Sequence, residues 1–144
     1  MWHQTGKAHC EKVSALYMQH QVEAKLEAFI ENMAAAYAWA DLVVCRAGAL
    51  TVAEVSAAGV AAVFIPFPHA VDNHQYKNGQ WLTNQNAAFM VQQHELNVSA
   101  MTTLLNNLLQ DRERLCEMAK NARALALPKA AEQVADICME IAHG

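Results

Sequence analysis

The chain has 144 residues, 54% of them apolar and 17% charged, and a formal net charge of −4. That length suits one domain with a sizeable core, and that balance excludes a disordered segment. With a negative net charge and no Lys/Arg run, nothing in the chain attracts a phosphate backbone, so nucleic acid is not an expected partner.

The four cysteines, Cys10, Cys45, Cys116 and Cys138, form no C-x-x-C pair. They read as reduced packing residues, and their spacing supplies no zinc site. Met1 is followed by polar residues, not by the basic and apolar regions of a signal peptide. The longest apolar run, Val60 to Pro68, is about half of what a membrane helix needs. A soluble chain, able to lie on a membrane surface, is expected.

In chain order, Trp2 to Gly6 reads as the end of a strand running into a loop, with no preceding element to pair with. Val13, Leu16 and Tyr17 give Ala8–Gln19 a helical spacing. A weak strand signal surrounds Val22. From Ile30 the sequence favours helix, with Met33, Tyr37 and Ala40 on one face. Leu42–Cys45 is a short apolar run, as a strand buried on both faces would be. Arg46–Ala49 breaks it, and Leu50–Ala58 is helical, stopped by Gly59 in the C′ position. Val60–Ile65 is a second buried strand, ended by Pro66. A polar loop leads to a helix over His74–Gln85, and Ala87–Val91 forms a third strand. The remainder is helical, with stripes at Met101, Leu104, Leu105, Leu108 and Leu109, then at Leu115, Met118, Ala119, Ala122 and Leu125. After Pro128 comes a last helix carrying Val134, Ile137, Cys138 and Ile141.

Alternating strands and helices predict an α/β fold, a Rossmann-like parallel sheet with helices on both faces. Such sheets bind ligands at the carboxyl ends of their strands. That directs attention to the loops His3–Ala8, Arg46–Leu50 and Pro66–His74.

The stretch Cys45–Glu54 is a strand end, a small-residue turn and a helix start. The first amides of a helix lack intrahelical partners and carry partial positive charge, which suits a phosphate or diphosphate. No Walker or dinucleotide glycine pattern is present, and an ordinary tight turn fits the same residues. Thr51 and Glu54 match a capping box; alternatively Glu54 is a carboxylate placed to accept from ribose hydroxyls. The stretch Pro66–Gln75 carries Asp, Asn, His and Gln side chains suited to a sugar's hydroxyls. It is equally readable as a solvated turn with Asp72 or Asn73 as N-cap. His69, Asp72 and His74 are metal-ligand types, but no second cluster completes a site, so no metal is expected. His3–Lys7 stands at a strand end and carries only a weak signal. No nucleophile–base order is legible.

Together, Trp2–Lys7, Phe29–Met33 with Ala35–Tyr37, Ala40–Glu54 and Pro66–Gln75 resemble, in order and spacing, the MurG-type enzymes of glycosyltransferase family 28. The resemblance covers essentially the whole chain. It implies the C-terminal, donor-binding half of a GT-B glycosyltransferase. These inverting N-acetylglucosaminyltransferases move GlcNAc from UDP-GlcNAc to lipid I, giving lipid II, at the cytoplasmic face of the bacterial membrane in cell-wall synthesis. No cofactor or metal is implied. Carried over by position, the backbone of Ile30 would meet uracil, with Met33 nearby. Ala49, Leu50 and Thr51 would lie against the diphosphate, and Glu54 against the ribose. His74 and Gln75 would face the GlcNAc hydroxyls, with Asn73 close by. Ala47 stands where Ser is usual in the family, Ala61 where Pro is, and Asn73 where Asp is common; Tyr76 and Gly79 are also atypical for one branch of the family.

The resemblance further implies an acceptor domain, and a Gly-rich loop before Trp2, that this sequence does not contain. Residues 1–144 are accordingly expected to be a single UDP-sugar-binding domain, truncated at its N-terminus and inactive alone, with no assignable catalytic base. Two alternatives remain: a related transferase using another UDP-sugar, and a non-catalytic donor-binding subunit of a split glycosyltransferase.

Overall fold

The computed structural model describes residues 1–143. The chain divides into two compact units, Met1–Trp39 and Ala40–Gly144.

In the first unit, β1 (Trp2–Gln4), α1 (Cys10–Gln19), β2 (Lys25–Glu27) and α2 (Met33–Trp39) follow one another. β1 pairs in parallel with β2, Trp2 opposite Lys25 and Gln4 opposite Glu27. The strand expected near Val22 therefore lies a few residues further on. Gln21, at φ 54°, ends α1, and the Val22 N–H donates back to the Tyr17 carbonyl. Val22 thus belongs to the helix terminus. Lys25 is tolerated in a strand because its ammonium lies 3.5 Å from the Trp2 ring centroid and 2.9 Å from Glu27.

In the second unit, β3 (Leu42–Cys45), β4 (Ala61–Phe64) and β5 (Ala88–Met90) form a parallel sheet in the order β3-β4-β5. The helices are α3 (Ala49–Ala58), α4 (His74–Thr83), α5 (Val98–Gln110), α6 (Arg112–Ala124) and α7 (Ala130–His143). Central β4 is wholly buried, and period-two alternation sends its side chains to opposite faces. Ala61 and Val63 pack with Leu108, Leu115 and Met118 of α5 and α6. Phe64 instead faces α4, where Gly79 permits close approach. Helices thus cover both faces, as the sequence pattern requires. β3 is less enclosed than its apolar run suggests: it is an edge strand, and Val44 is 45% exposed. Gly59, at φ 67°, closes α3 in the left-handed conformation that favours glycine.

Candidate functional site

Cys45 is opposite Phe64 in the β3–β4 register, so the connections after these two strands leave the sheet at the same level. Both start at carboxyl ends, where ligands bind in this class of sheet.

The first connection is Arg46–Gly48. Gly48 is the N-cap of α3, extended at φ −63° and ψ 149°, with no side chain to cap the helix. The first i→i−4 bond of α3 runs from the Val52 N–H to the Gly48 carbonyl, at 2.9 Å. The amides of Ala49, Leu50 and Thr51 precede it and make no bond within the helix. Ala49 and Leu50 are exposed and Thr51 half-buried. Thr51 is the third residue of α3, not its cap, so the capping box expected with Glu54 is not formed. Glu54 lies in the second turn on an exposed position. Burial, and after it the Glu54 carboxylate, push the Cys45 thiol from 9.0 up to about 12. A thiol so raised stays protonated at neutral pH and is no nucleophile.

The second connection, Ile65–Asn73, is longer and more bent. Asp72 (φ 50°) and Asn73 (φ 56°) are consecutive left-handed residues. Asn73 occupies the N-cap position of α4, but its side chain makes no capping bond. His74 and Gln75 open α4; Asn73 and His74 are exposed and Gln75 half-buried. The Gln75 Oε1 accepts from the Phe67 N–H at 2.9 Å, which leaves its NH2 end for an external acceptor.

Two residues that the sequence reading did not single out tie these connections together. Arg46 Nη1 donates to the carbonyls of Ile65 and Pro66, each at 3.1 Å. The Asn78 Nδ2 donates to the Ala47 carbonyl at 3.3 Å. The available signals were a charged residue at a buried strand's exit, for Arg46, and an amide one turn after His74, for Asn78. A cavity of about 520 Å³ runs along α3, between α4 and the segment that joins α6 to α7, lined by Ala49, Val52, Ser56, Trp81, Leu125 and Pro128 among others.

Ile30 and Met33 belong to the first unit. Ile30 is buried, and its N–H donates to the Gln4 Oε1 at 2.8 Å; Met33, half-buried, opens α2. His3, a weaker candidate, bonds Tyr17 Oη through Nδ1 at 3.2 Å. Among the described residues no three His, Cys, Asp or Glu side chains gather as metal ligands, and no helix is long and apolar enough to cross a membrane.

The family model "Glycosyltransferase family 28 C-terminal domain" matches residues 1–134. A protein of Cellvibrio japonicus is 55% identical over 144 residues, covering 100% of this chain and 40% of its own length. One of Coxiella burnetii is 48% identical over 138 residues, covering 96% of this chain and 38% of its own. Both are named UDP-N-acetylglucosamine--N-acetylmuramyl-(pentapeptide) pyrophosphoryl-undecaprenol N-acetylglucosamine transferase. The crystal structure of Acinetobacter baumannii MurG superposes with a TM-score of 0.90 at 43% identity, over 96% of this chain and 40% of that one. The chain thus spans about 40% of the length of these relatives. On sequence and on fold, it belongs to glycosyltransferase family 28, whose C-terminal domain it matches.

Proposed function

We propose that this chain is the donor-binding part of an inverting transferase that moves GlcNAc from UDP-GlcNAc to N-acetylmuramyl-(pentapeptide) pyrophosphoryl-undecaprenol, at the cytoplasmic face of the bacterial membrane. The observation that carries the reading is the uncapped amino end of α3. There the amides of Ala49, Leu50 and Thr51 follow a glycine N-cap, one turn before Glu54. A diphosphate fits such an end because the amides point outward and the helix dipole favours negative charge. As the bond from the sugar's anomeric carbon to the diphosphate breaks, negative charge builds on the departing UDP. Fixed amides stabilise that charge without having to reorient.

In this reading Glu54 accepts hydrogen bonds from the ribose hydroxyls, while Asn73, His74 and Gln75 address the GlcNAc hydroxyls. Ile30 and Met33 take the uracil. Because the Ile30 N–H already serves Gln4, its carbonyl is the group offered to the base N3–H. The acceptor hydroxyl attacks opposite the UDP, and the base that removes its proton is assigned to no residue of this chain.

Calorimetric titration tests the reading. The chain should bind UDP-GlcNAc in preference to UDP-glucose and GDP-mannose. Glu54→Ala should weaken binding about tenfold or more, the loss expected for a charged hydrogen-bond acceptor. Equal binding of GDP-mannose would remove the assignment; if the folded chain binds no donor, the titration is repeated with the Gly-rich segment before Trp2 restored, and no binding there would remove it. Equal binding of UDP-glucose would instead favour a transferase with another UDP-sugar.

A further inference from the structure

Arg46 lies outside the proposed donor contacts, yet its guanidinium touches three consecutive residues of the connection that leads to them. The last rung between β3 and β4 is the Ile65 N–H to the Cys45 carbonyl, at 2.8 Å. Pro66 has no N–H, so the ladder stops there. Arg46 Nη1 takes both carbonyls left at that exit, those of Ile65 and Pro66, at 3.1 Å. Its Cζ also stands 5.6 Å from the centroid of the Phe67 ring, within cation–π range.

From Phe67 the restraint passes onward. The Phe67 N–H donates to Gln75, its carbonyl accepts from the Ala70 N–H at 3.2 Å, and the Ala70 carbonyl accepts from the Asn73 N–H at 3.0 Å. One cation rooted at the end of β3 thus holds the near end of a chain of bonds that runs to Asn73 and Gln75.

We propose that Arg46 is a positioning residue for the donor sugar: it pins the Ile65–Asn73 connection to the β3–α3 turn, and so sets where Asn73, His74 and Gln75 stand relative to the diphosphate cradle. This rests on the donor-binding reading above. The cradle itself does not depend on the clamp, because Arg46–Gly48 is short and rooted in β3 on one side and α3 on the other. The Asn78 bond to Ala47 also keeps α4 seated when the guanidinium is removed. The longer connection, with its two left-handed residues, loses its anchor.

The discriminating measurement is affinity for UDP beside affinity for UDP-GlcNAc, in the wild type, Arg46→Lys and Arg46→Ala. In Arg46→Ala, UDP affinity should be unchanged, whereas UDP-GlcNAc affinity falls about tenfold, as for loss of a charged donor. Arg46→Lys, which can still donate but loses the flat contact with Phe67, should fall between. Equal losses for both ligands, or no loss for either, would overturn the proposal. In the ligand-free chain, amide exchange at Phe67, Ala70 and Asn73 should quicken in Arg46→Ala, and unchanged exchange would overturn the clamp whatever binds. Should the wild type bind neither ligand, the titrations are repeated with the Gly-rich segment before Trp2 restored; no binding there removes the donor reading, and the exchange measurement still decides the clamp.

Discussion

The connections after β3 and β4 leave adjacent parallel strands at one level, yet they present opposite kinds of surface. Arg46–Gly48 is short, ends in a glycine with no side chain, and offers backbone amides at the start of α3. Ile65–Asn73 is long, carries two left-handed residues, and offers side chains at the start of α4. The difference lies in the N-caps. A glycine N-cap leaves the helix end open to an external anion. A left-handed Asn73 turns its side chain away from capping and costs strain, roughly 1–2 kcal/mol for an ordinary residue and less for Asn or Asp. Bonds from elsewhere, through Arg46 and Gln75, offset that strain. A backbone site is made by leaving side chains out, and a side-chain site by bending the chain and bracing it.

The sharpest way to break this contrast is to cap the open helix. At Gly48 a new Cβ meets only the Thr51 Oγ1, at 3.7 Å, and the backbone φ is one any residue adopts. Gly48→Asp should therefore stabilise the fold slightly, by about 0.5 kcal/mol from capping and the helix dipole. The same carboxylate occupies the anion's place, so UDP-GlcNAc affinity should fall about a hundredfold through like-charge repulsion at close range. Thermal unfolding and calorimetry should then move in opposite directions. Unimpaired donor binding by this variant would mean that the α3 end is not the diphosphate site.

What the sequence disclosed, and what it hid, follows the same division. The buried run at Val60–Ile65, the stop at Gly59 and the stripe of α6 are local patterns, and the structure has them; the α5 stripe is met except at Leu109, which is 57% exposed. β2 was nearly invisible because Lys-Leu-Glu has no apolar run; pairing with β1 and the Trp2 ring supply what the local sequence lacks. The partial exposure of β3 was hidden because an apolar run does not say which strand is the edge. Thr51 and Glu54 mimicked a capping box because spacing does not fix where a helix begins. The role of Arg46 was hidden for a different reason: a charge at a strand's exit marks the position, but its partners are the carbonyls of Ile65 and Pro66, which no side-chain motif records.

A second test concerns the roots of the two connections, where Cys45 titrates and its register partner Phe64 does not. The folded state raises the Cys45 thiol above its ordinary 9.0, to about 12, chiefly by burial and then by Glu54. A group whose folded pKa is raised keeps its full contribution below the unfolded value and loses it as pH climbs toward the folded one. Between 9.0 and about 12, the wild type should therefore lose up to about 1.4 kcal/mol per pH unit more than Cys45→Ala. Urea denaturation across that window measures the difference. Parallel profiles would mean that the base of the first connection is open to water. At neutral pH, iodoacetamide should label the exposed Cys116 and Cys138 well before Cys45.

The smallest expected effect lies where α4 packs against the turn before Gly48. A Cβ at Gly79, inside α4, would stand 3.2 Å from the Met90 sulfur and 3.4 Å from the Ala47 Cβ. Gly79→Ala gains about 0.8–1 kcal/mol of helix propensity. Against this stands a tight contact with a flexible thioether that can shift, and an ordinary one with Ala47. The two should nearly cancel, leaving stability within about 0.5 kcal/mol of the wild type by thermal unfolding. Ala47 is wholly buried in the turn before Gly48, so Ala47→Ser adds a hydroxyl on the side where α4 would have to yield. Combined with Gly79→Ala, it should cost about 0.5–1 kcal/mol more than the sum of the separate changes. Additive behaviour would mean that α4 and the turn adjust independently, and then the spacing between the amide end and the side-chain end rests on the Arg46 clamp and the Asn78 bond, not on packing.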